Sequence, residues 1–290
     1  MRIFLRKILA PLTNESTRRF LKRTELRFKK KVMAYAGVMQ KSDFEKLFRD
    51  KFKLRAGDVV MVHAGTSTLK TELSALEIVE ILQEVITETG TIVVPTYPRG
   101  SVRYLQRKSP FNARTTPSAM GEISEVVRKN TNAFRSTHPV KSIAAVGPKA
   151  EMICSGHEQS VYPFGPDSPY KKLYDLGVKV IGIGAPMSYL SFVHVAEDLY
   201  PGRARQPIWE PNTYEKICLD MWGNEFLVET RVHNMELMVK ANPEKYCRSN
   251  LPKQNYEITR RGMAEFFCVD GKVLTDKIAD SLKNGVTIYD

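Results

Sequence analysis

Two apolar, β-branched runs separated by one amphipathic helix are the feature of this sequence that most restricts its fold. The first run is DVVMVH, from Asp58 to His63, and the second is TIVVPTY, which begins at Thr91. Between them, residues 74–89 place apolar side chains on one face of a helix. Continuous apolar runs of this length are typical of strands that are covered on both faces. Strand, helix and strand in this order predict an α/β fold with a parallel sheet.

Further segments extend this pattern towards the C-terminus. A helix is predicted over residues 119–129, a strand over residues 142–146 and another strand over VKVIGIG. From about Ile217 the segments become shorter and more polar, and Gly223-Asn224 is typical of a hairpin turn. We therefore expect a mostly parallel central sheet with an antiparallel C-terminal extension of the same domain.

The net charge of +12 is concentrated at the N-terminal end. Residues 1–55 hold 17 of the 44 Lys and Arg residues but only 5 of the 32 Asp and Glu residues, so residues 56–290 are electrically neutral. The segment RRFLKRTELRFKKK, from Arg18 to Lys31, mixes basic and apolar side chains, which is typical of a helix on an anionic surface. We predict a basic helical arm over residues 1–55 and one domain over residues 56–290.

Three interpretations of the basic arm are open. It packs on its own domain or on a second subunit of a homo-oligomer, it contacts an anionic membrane through residues 1–35, or it binds nucleic acid. Anionic lipid attracts each nearby basic residue by about 1 kcal/mol. No RNA- or DNA-binding motif accompanies the charge, so we expect no nucleic-acid partner. Arg6 and Lys7 interrupt the apolar residues of MRIFLRKILAPL, which argues against a signal peptide. We expect a cytoplasmic protein; in the second interpretation the arm makes a peripheral contact at the inner face of the membrane.

The four cysteines argue against a disulfide scaffold and against a zinc site. Cys154, Cys218, Cys247 and Cys268 lie far apart and form no CxxC pair. No apolar run approaches the roughly 20 residues that a membrane-spanning helix needs. No G-x-S-x-G motif follows a strand, and GIGAPM lacks the third glycine of a dinucleotide fingerprint. These observations predict a soluble protein with reduced thiols that is neither a serine hydrolase nor a nicotinamide enzyme.

Candidate catalytic residues follow the predicted strands, because ligands of such sheets bind at the carboxyl ends of the strands. His63 ends the first strand, and His194 and Glu197 are three residues apart in VHVAEDL. On a helix this spacing lets the carboxylate hold one ring nitrogen and leaves the other as a base. The alternative is a structural, hydrogen-bonded ring. We expect no metal, because a di-metal carboxylate site needs more Glu-x-x-His pairs than this chain has.

A second candidate site begins at Arg114, in RTTPSAMGEISE. Thr116 can cap a helix, and Pro117 suits its first turn. The free N–H groups near Ser118 could then hold a pyrophosphate or a carboxylate. The alternative is an ordinary capped helix with no ligand.

Six segments follow one another in a characteristic order. They are GDVVMVHAGTSTL, GTIVVPTY, FNARTTPSAMGEISEVVRKN, RSTHPVKSIAAVG, PFGPDSPYKKL, and VIGIG followed by HVAE. In this order they resemble the aminoglycoside 3-N-acetyltransferase family, also called the antibiotic N-acetyltransferase family, over residues 40–275. The resemblance implies an α/β/α sandwich that transfers an acetyl group from acetyl-coenzyme A (acetyl-CoA) to an amine. It implies no metal and no bound redox cofactor.

The resemblance also implies roles for individual residues. His194 would deprotonate the acceptor amine, Glu197 would orient and polarise His194, and His63 would line the same cleft. Two loops would contact coenzyme A: Ala64, Gly65, Thr66 and Ser67 in the first, and Thr116, Pro117 and Ser118 in the second. The family usually has a serine directly after the histidine pair that ends the first strand, whereas Gly65 intervenes here, which weakens the contact assigned to Thr66.

The charge of the chain bears on the acceptor. Aminoglycosides are polycations and call for an acidic pocket, whereas residues 56–290 are neutral and the arm is basic. Family members encoded for surface-polysaccharide assembly have similar basic arms. We therefore expect the small-molecule acceptor to be an amino sugar of surface-polysaccharide biosynthesis. An aminoglycoside-modifying resistance enzyme is the alternative, and a catalytically silent binding protein on the same scaffold is the third reading.

Overall fold

Ten strands and ten α-helices are formed by residues 37–290, the part of the chain that the computed structural model describes. The strands are β1 (Val59–Ala64), β2 (Thr91–Pro95), β3 (Phe111–Asn112), β4 (Phe134–Arg135), β5 (Ile143–Val146), β6 (Lys179–Ile183), β7 (Trp209–Leu219), β8 (Glu225–His233), β9 (Tyr256–Arg261) and β10 (Ala264–Asp270). The helices are α1 (Lys41–Lys46), α2 (Ala75–Ile86), α3 (Ser101–Leu105), α4 (Glu122–Arg128), α5 (Ala150–Cys154), α6 (Pro169–Asp175), α7 (Val195–Leu199), α8 (Met235–Met238), α9 (Pro243–Asn250) and α10 (Gly271–Lys283). None of these described helices has the length and apolar character needed to cross a bilayer.

Seven strands form the central sheet, in the order β4-β5-β2-β1-β6-β10-β9. Strand β1 pairs in parallel with β2 and β6, which confirms the predicted α/β class and parallel centre. Strands β5 and β10 run against their neighbours, so five of the seven strands point the same way. The predicted strand over residues 142–146 is β5; it is antiparallel to β2 because a short connection from β4 folds it back as a hairpin.

The two faces of the sheet explain the continuous apolar runs. Val60 and Val62 belong to one core cluster, with α1, α2 and α4, whereas Met61 belongs to the other, with α5, α6, α7, α9 and α10. Alternate side chains of a strand point to opposite faces, so a strand covered on both sides must be apolar at every position. Helices on both faces of one sheet make the predicted α/β/α sandwich, which is confirmed.

Helix α2 begins as its sequence predicts. The Ser74 hydroxyl accepts a hydrogen bond from the Glu77 N–H, and the Glu77 carboxylate accepts one from the Ser74 N–H. This capping box satisfies two N–H groups that would otherwise lack partners at the helix start. The helix ends at Ile86, three residues earlier than predicted, because Thr87 leaves helical geometry at a φ of 62°.

Residues 41–54 belong to the body of the domain. The side chains of Phe44 and Phe48 are fully buried and pack in the same core cluster as Val60 of β1. Removing either ring would cost about 3–5 kcal/mol by the usual effect of deleting a buried aromatic side chain. The predicted boundary near residue 55 therefore does not separate this segment from the body. Residues 1–36 of the predicted arm lie outside the described part of the chain.

The second sheet has the order β3-β7-β8 and is separate from the central sheet. Strands β7 and β8 form the hairpin predicted at Gly223-Asn224, and the Asp220 carboxylate accepts hydrogen bonds from the backbone N–H groups of Trp222 and Asn224 in its turn. The predicted antiparallel extension of the central sheet is instead made by β9 and β10. The hairpin carries His233 at the end of β8, next to the site described below.

The ends of β1 and β6 approach each other closely at a pair of glycines. The Gly65 N–H donates to the Ile183 carbonyl, and the Thr68 hydroxyl donates to the Gly184 carbonyl at 2.7 Å. A Cβ atom at Gly65 would lie 2.9 Å from the Gly184 carbonyl oxygen, closer than real Cβ contacts. The absence of a side chain at residue 65 therefore lets the loop after β1 lie directly against the end of β6.

Candidate active site

A cavity of about 350 Å³ lies beside His194. Its walls come from the segment of residues 188–194, from the end of β8, from α8 and from Lys141. Most of the lining is apolar, and its members include Val140, Leu190, Val193, Val232, Met235 and Met238. Clefts with apolar walls and a few polar groups are the usual form of small-molecule sites.

His194 and Glu197 form a hydrogen-bonded pair at the wall of this cavity. His194 ends a 3₁₀ turn, Ser191–His194, and Glu197 lies one turn later in α7. Their side chains meet at 2.7 Å, between His194 Nδ1 and Glu197 Oε2, as the spacing in the sequence predicts. The carboxylate is fully buried, whereas the imidazole is 12% exposed. Because Nδ1 is held by the carboxylate, Nε2 is the ring nitrogen that remains available, and it bonds to no described residue.

Glu197 is fixed by a second donor from the C-terminal end of the chain. The Tyr289 hydroxyl donates to Glu197 Oε2 at 3.1 Å. The other carboxylate oxygen, Oε1, is buried and has no hydrogen-bond partner among the described residues. The hydroxyl and the imidazole thus share one oxygen of the carboxylate, and this shared contact fixes the orientation of the ring.

Burial lowers the pKa of His194 below its ordinary value, and the Glu197 carboxylate opposes this shift. Neighbouring His233 and Lys141 also lower it. Because removing a charged group from water disfavours its charged form, the His194 imidazole is neutral at neutral pH. A neutral imidazole with one held and one available nitrogen is the form that accepts a proton.

A second histidine–carboxylate pair lies against the first. His233 Nε2 donates to Asp198 Oδ1 at 3.1 Å, and the His194 and His233 ring centroids are 4.9 Å apart. Asp198 also accepts from the Phe164 N–H at 2.8 Å and from Trp209 Nε1 at 2.9 Å. His233 lines the cavity as well, and its Nδ1 is buried without a partner among the described residues.

His194, Glu197 and His233 are also a set of side chains that could hold a metal ion, with ligand atoms within 4.8 Å of one another. Each of the three has one atom in a hydrogen bond, and Glu197 Oε1 and His233 Nδ1 are buried without a partner among the described residues. The sequence predicts no metal, and this set makes metal analysis a necessary control for any activity of the protein.

The structure places His63 and its loop near this cavity but not in its lining. His63 is buried at the end of β1, and burial, together with Lys141, lowers its pKa to about 4, so its ring is neutral. Ala64, Gly65, Thr66 and Ser67 also lie outside the lining. The N–H groups of Thr66 and Ser67 bond to no described residue. That loop therefore retains donors for an oxygen of a bound group.

The helix start predicted at Thr116 is wrong. Helix α4 begins after Gly121, and Thr116 instead closes a turn in which its hydroxyl accepts from the Asn112 N–H at 2.8 Å. The buried Arg135 holds the carbonyl of Thr116. The Ser118 N–H, predicted to hold an anion, donates to the Glu125 carboxylate at 2.7 Å. The chain itself therefore supplies a carboxylate at the predicted anion position.

The loop of residues 116–118 nevertheless lies close to the first predicted loop. A Cβ atom at Gly121 would lie 3.5 Å from the Ala64 carbonyl oxygen, so the start of α4 lies next to the end of β1. Thr116, Pro117 and Ser118 do not line the cavity beside His194. The loop of residues 116–118 therefore leads into a helix that starts beside the first predicted loop.

Several residues of the site were not singled out by the sequence pattern. Tyr289 is 92 positions from Glu197, and no periodicity joins them. His233 is in a polar stretch of sequence yet is buried, and only the acid next to Glu197 in the chain, Asp198, could have hinted at a second pair. Lys141 follows Pro139 and Val140 without any motif that marks it as a cleft residue.

The four cysteines are free thiols, as predicted, and all are buried. Burial raises the pKa of each of Cys154, Cys218, Cys247 and Cys268 to about 12. None of them lines the cavity beside His194. Because the thiolate is the nucleophilic form, these positions argue against a covalent acyl-cysteine intermediate.

Comparison with known proteins gives the same family as the sequence motifs. The model described as aminoglycoside 3-N-acetyltransferase matches residues 61–281. Aminoglycoside N(3)-acetyltransferase IX of Micromonospora chalcea is 29% identical over 182 residues, which cover 57% of this chain and 63% of that relative. The chain therefore matches less than two thirds of the length of this relative.

Solved structures show the same fold. The crystal structure of aminoglycoside acetyltransferase AAC(3)-Xa superimposes with a TM-score of 0.72 at 22% identity, covering 91% of this chain and 99% of that one. The structure of AAC-IIIb in a binary complex with CoASH superimposes with a TM-score of 0.69 at 20% identity, covering 87% of this chain and 98% of that one. Because the family model matches residues 61–281, which is more than half of the chain, the chain belongs to the aminoglycoside 3-N-acetyltransferase family.

Proposed function

We propose that this chain transfers the acetyl group of acetyl-CoA to an amine of a saccharide, with His194 as the general base. The observation that carries the proposal is the His194–Glu197 hydrogen bond at 2.7 Å on the wall of a cleft. Membership of an N-acetyltransferase family supports the same activity. The CoASH complex of the related fold AAC-IIIb supports acetyl-CoA as the donor.

The reaction requires a base because an alkyl amine is mostly protonated at neutral pH and does not attack a thioester in that form. The ammonium form first loses one proton to solvent, and His194 Nε2 would then accept a second proton while the nitrogen of the neutral amine forms a bond to the acetyl carbon and the C–S bond breaks. The proton would then pass to the sulfur of the leaving thiolate. Glu197 would stabilise the imidazolium that forms. A positioned base commonly contributes about 10²- to 10⁴-fold to the rate.

The remaining predicted residues would act on the donor side. The N–H groups of Thr66 and Ser67 are available to an oxygen of acetyl-CoA, and Ala64 and Gly65 shape the same loop. Donors aimed at a developing oxyanion lower the barrier to acyl transfer. Thr116, Pro117 and Ser118 would contact coenzyme A through their exposed edge, since the Ser118 N–H is already used by Glu125. His63, as a neutral ring, would pack beneath the floor of the cleft.

Two classes of acceptor are compatible with this chemistry. The names of the matched relatives favour the 3-amine of an aminoglycoside, which would make the protein a resistance enzyme. An amino sugar of surface-polysaccharide biosynthesis is the second candidate. It is favoured by the absence of Asp and Glu from the lining of the cleft in the described residues.

Acetyl-CoA turnover on a panel of amines tests the proposal. The full chain is incubated with acetyl-CoA and with kanamycin, glucosamine or glucosamine 1-phosphate, and the release of free thiol is followed. We expect turnover on at least one amine, a kcat about 100-fold lower in His194→Ala and a nearly unchanged KM for acetyl-CoA. Metal analysis and a chelator control accompany the assay.

Three results would contradict the proposal. Thermal protection by acetyl-CoA without turnover on any amine would indicate a silent binding protein. A folded His194→Ala variant that keeps its kcat would place the base elsewhere. Equal losses of acetyl-CoA affinity and of turnover in His194→Ala would instead indicate that His194 has a structural role.

For the basic segment we propose peripheral contact with an anionic membrane on the cytoplasmic side. Residues 1–35 hold 11 Lys and Arg residues and 2 Glu residues, so a membrane-surface charge would attract them. Deleting residues 1–35 should reduce co-sedimentation with phosphatidylserine vesicles and leave turnover of a soluble acceptor largely intact. Unchanged vesicle binding would exclude this role.

A further inference from the structure

We propose that the cleft beside His194 takes an amine acceptor that also carries a phosphate or another anionic group, which Lys141 and Arg231 recognise. The proposal rests on the acetyl transfer proposed above and narrows its acceptor. The charge of the residues that line the cleft determines which charge the acceptor must carry. The identity of the sugar is left to the measurements below.

The lining of the cleft is basic and apolar. Lys141 and Arg231 are its lysine and arginine residues, and no Asp or Glu is among the described residues that line it. The two histidines of the lining, His194 and His233, lie in front of the carboxylates of Glu197 and Asp198. Those carboxylates are fully buried and do not reach the surface of the cleft.

Lys141 has no counter-ion in the described part of the chain. Its Nζ lies 4.6 Å from the ring centroid of Tyr97 and 5.5 Å from that of Phe164, and it makes no ion pair there. Burial lowers its pKa to about 8, with attraction to the more distant Asp198 only partly opposing the shift. An ammonium that is partly removed from water is stabilised by a nearby anion. An anionic ligand in the cleft would supply the missing charge.

Arg231 provides a second cation from another element. Its backbone N–H bonds to the Val161 carbonyl at 2.8 Å, which fixes this part of β8 against the loop before α6. Its guanidinium lies 5.7 Å from the Tyr162 ring centroid and makes no ion pair with a described residue. Guanidinium groups bind phosphate with two parallel N–H donors, whereas the lysine acts as a point charge.

This charge distribution is opposite to the one that an aminoglycoside needs. A polycation in the cleft would face two cations in a setting that screens charge less than water does. An amine with a phosphate attached presents one positive group, which the base must deprotonate, and one negative group. The exposed apolar side chains at the rim, Tyr189, Met235 and Val239, offer contacts to a nucleoside or a lipid portion.

Acceptors that differ only in charge test the proposal. We compare kcat/KM for glucosamine, glucosamine 1-phosphate, UDP-glucosamine and kanamycin at fixed, saturating acetyl-CoA. Phosphorylated acceptors should exceed glucosamine by about tenfold or more, and kanamycin should be the poorest. A preference for UDP-glucosamine over glucosamine 1-phosphate would identify a nucleotide carrier, and the reverse would identify a simple sugar phosphate.

Charge-removing variants assign the effect to residues. In Lys141→Gln the ratio of kcat/KM for glucosamine 1-phosphate to that for glucosamine should fall about tenfold. Arg231→Gln should lower the same ratio, so that one misfolded variant does not decide the test. Lys283→Gln is the matched control, because Lys283 is 57% exposed, pairs with Asp280 and lies outside the cleft. It should leave the ratio unchanged.

The outcomes separate this proposal from the proposed function. Absence of acetyl transfer to every amine would remove the function, and the inference with it. Transfer to kanamycin that equals or exceeds transfer to the phosphorylated acceptors would keep the function and overturn the inference. A rise in the KM for acetyl-CoA in Lys141→Gln, with the acceptor ratio unchanged, would also overturn it, because the lysine would then serve the donor's phosphates.

Discussion

The two histidine–carboxylate pairs of the cleft use consecutive residues of one helix for different purposes. Glu197 holds His194 and leaves the other ring nitrogen available, whereas Asp198 is surrounded by donors from three parts of the chain. In the proposed function, the first pair exchanges a proton with the acceptor. The second pair holds the loop at Phe164 against the two ends of the β7–β8 hairpin.

The difference lies in how the carboxylates are satisfied. Both oxygens of Asp198 accept hydrogen bonds, from the Phe164 backbone, from Trp209 and from His233. Glu197 keeps one oxygen without a partner among the described residues. A buried carboxylate whose two oxygens both accept hydrogen bonds stabilises the fold. A carboxylate with one oxygen left unpaired can still accept a further hydrogen bond when the charge of its neighbour changes. Two adjacent acidic residues can thus have different roles, one in the stability of the fold and one in the reaction.

Asp198→Ala is expected to cause the largest change, and the change should be in stability. Three buried donors would lose their acceptor, and each unsatisfied buried group costs about 1–3 kcal/mol. The free energy of unfolding, measured by urea denaturation, should fall by about 3 kcal/mol or more. Glu197→Ala should cost clearly less, because only His194 and Tyr289 lose a partner. Equal losses in the two variants would remove the distinction between the pairs.

Glu197→Gln should lower turnover more than the matched change at Asp198 does, which is the reverse of the order expected for stability. The amide keeps the shape of the side chain but removes the charge that stabilises an imidazolium, so kcat should fall by about tenfold. Asp198→Asn is the matched change in the other pair, and its kcat should stay within about threefold of the wild type. A larger loss of kcat in Asp198→Asn than in Glu197→Gln would contradict this prediction, because the reaction would then depend on the His233–Asp198 pair.

Tyr289→Phe should have the smallest effect. It removes one neutral hydrogen bond to Glu197, which contributes about 1 kcal/mol to stability. We expect a twofold to fivefold lower kcat, on the order of the effect of a lost orienting contact. Tyr246→Phe is the control, since it removes a hydroxyl contact of 2.7 Å to Ser281 outside the cleft. A similar loss of stability with an unchanged kcat is expected for it, and equal kcat values in the two variants would contradict a role for Tyr289.

Much of the fold could be predicted from the sequence because its signals are local. The runs that became β1 and β2 are apolar at every position, and Ser74 marks the start of α2 by a capping box. The direction of β5 could not be predicted, because β4 has only two residues and shows no periodicity. The start of α4 was missed because Asn112, Glu125 and the more distant Arg135 hold the preceding loop by hydrogen bonds that no periodic pattern marks.

The site could be predicted only in part for the same reason. The His194–Glu197 contact depends on a spacing of three within one segment, which the sequence displays. Tyr289, His233 and Lys141 reach the cleft from distant elements, and only the folded sheet brings them together. Their charges and hydrogen bonds, rather than any motif, determine what the cleft can bind.

The pH dependence of kcat tests most directly whether His194 is the base. The base must be neutral, so activity is lost as the pH falls through its pKa, and burial places the acid limb of the wild type below the ordinary value of 6.5. Because the Glu197 carboxylate raises the pKa of His194, Glu197→Gln should move that limb to still lower pH, whereas Asp198→Asn should move it less. An acid limb that stays in place in Glu197→Gln, or that persists unchanged in His194→Gln, would contradict the account.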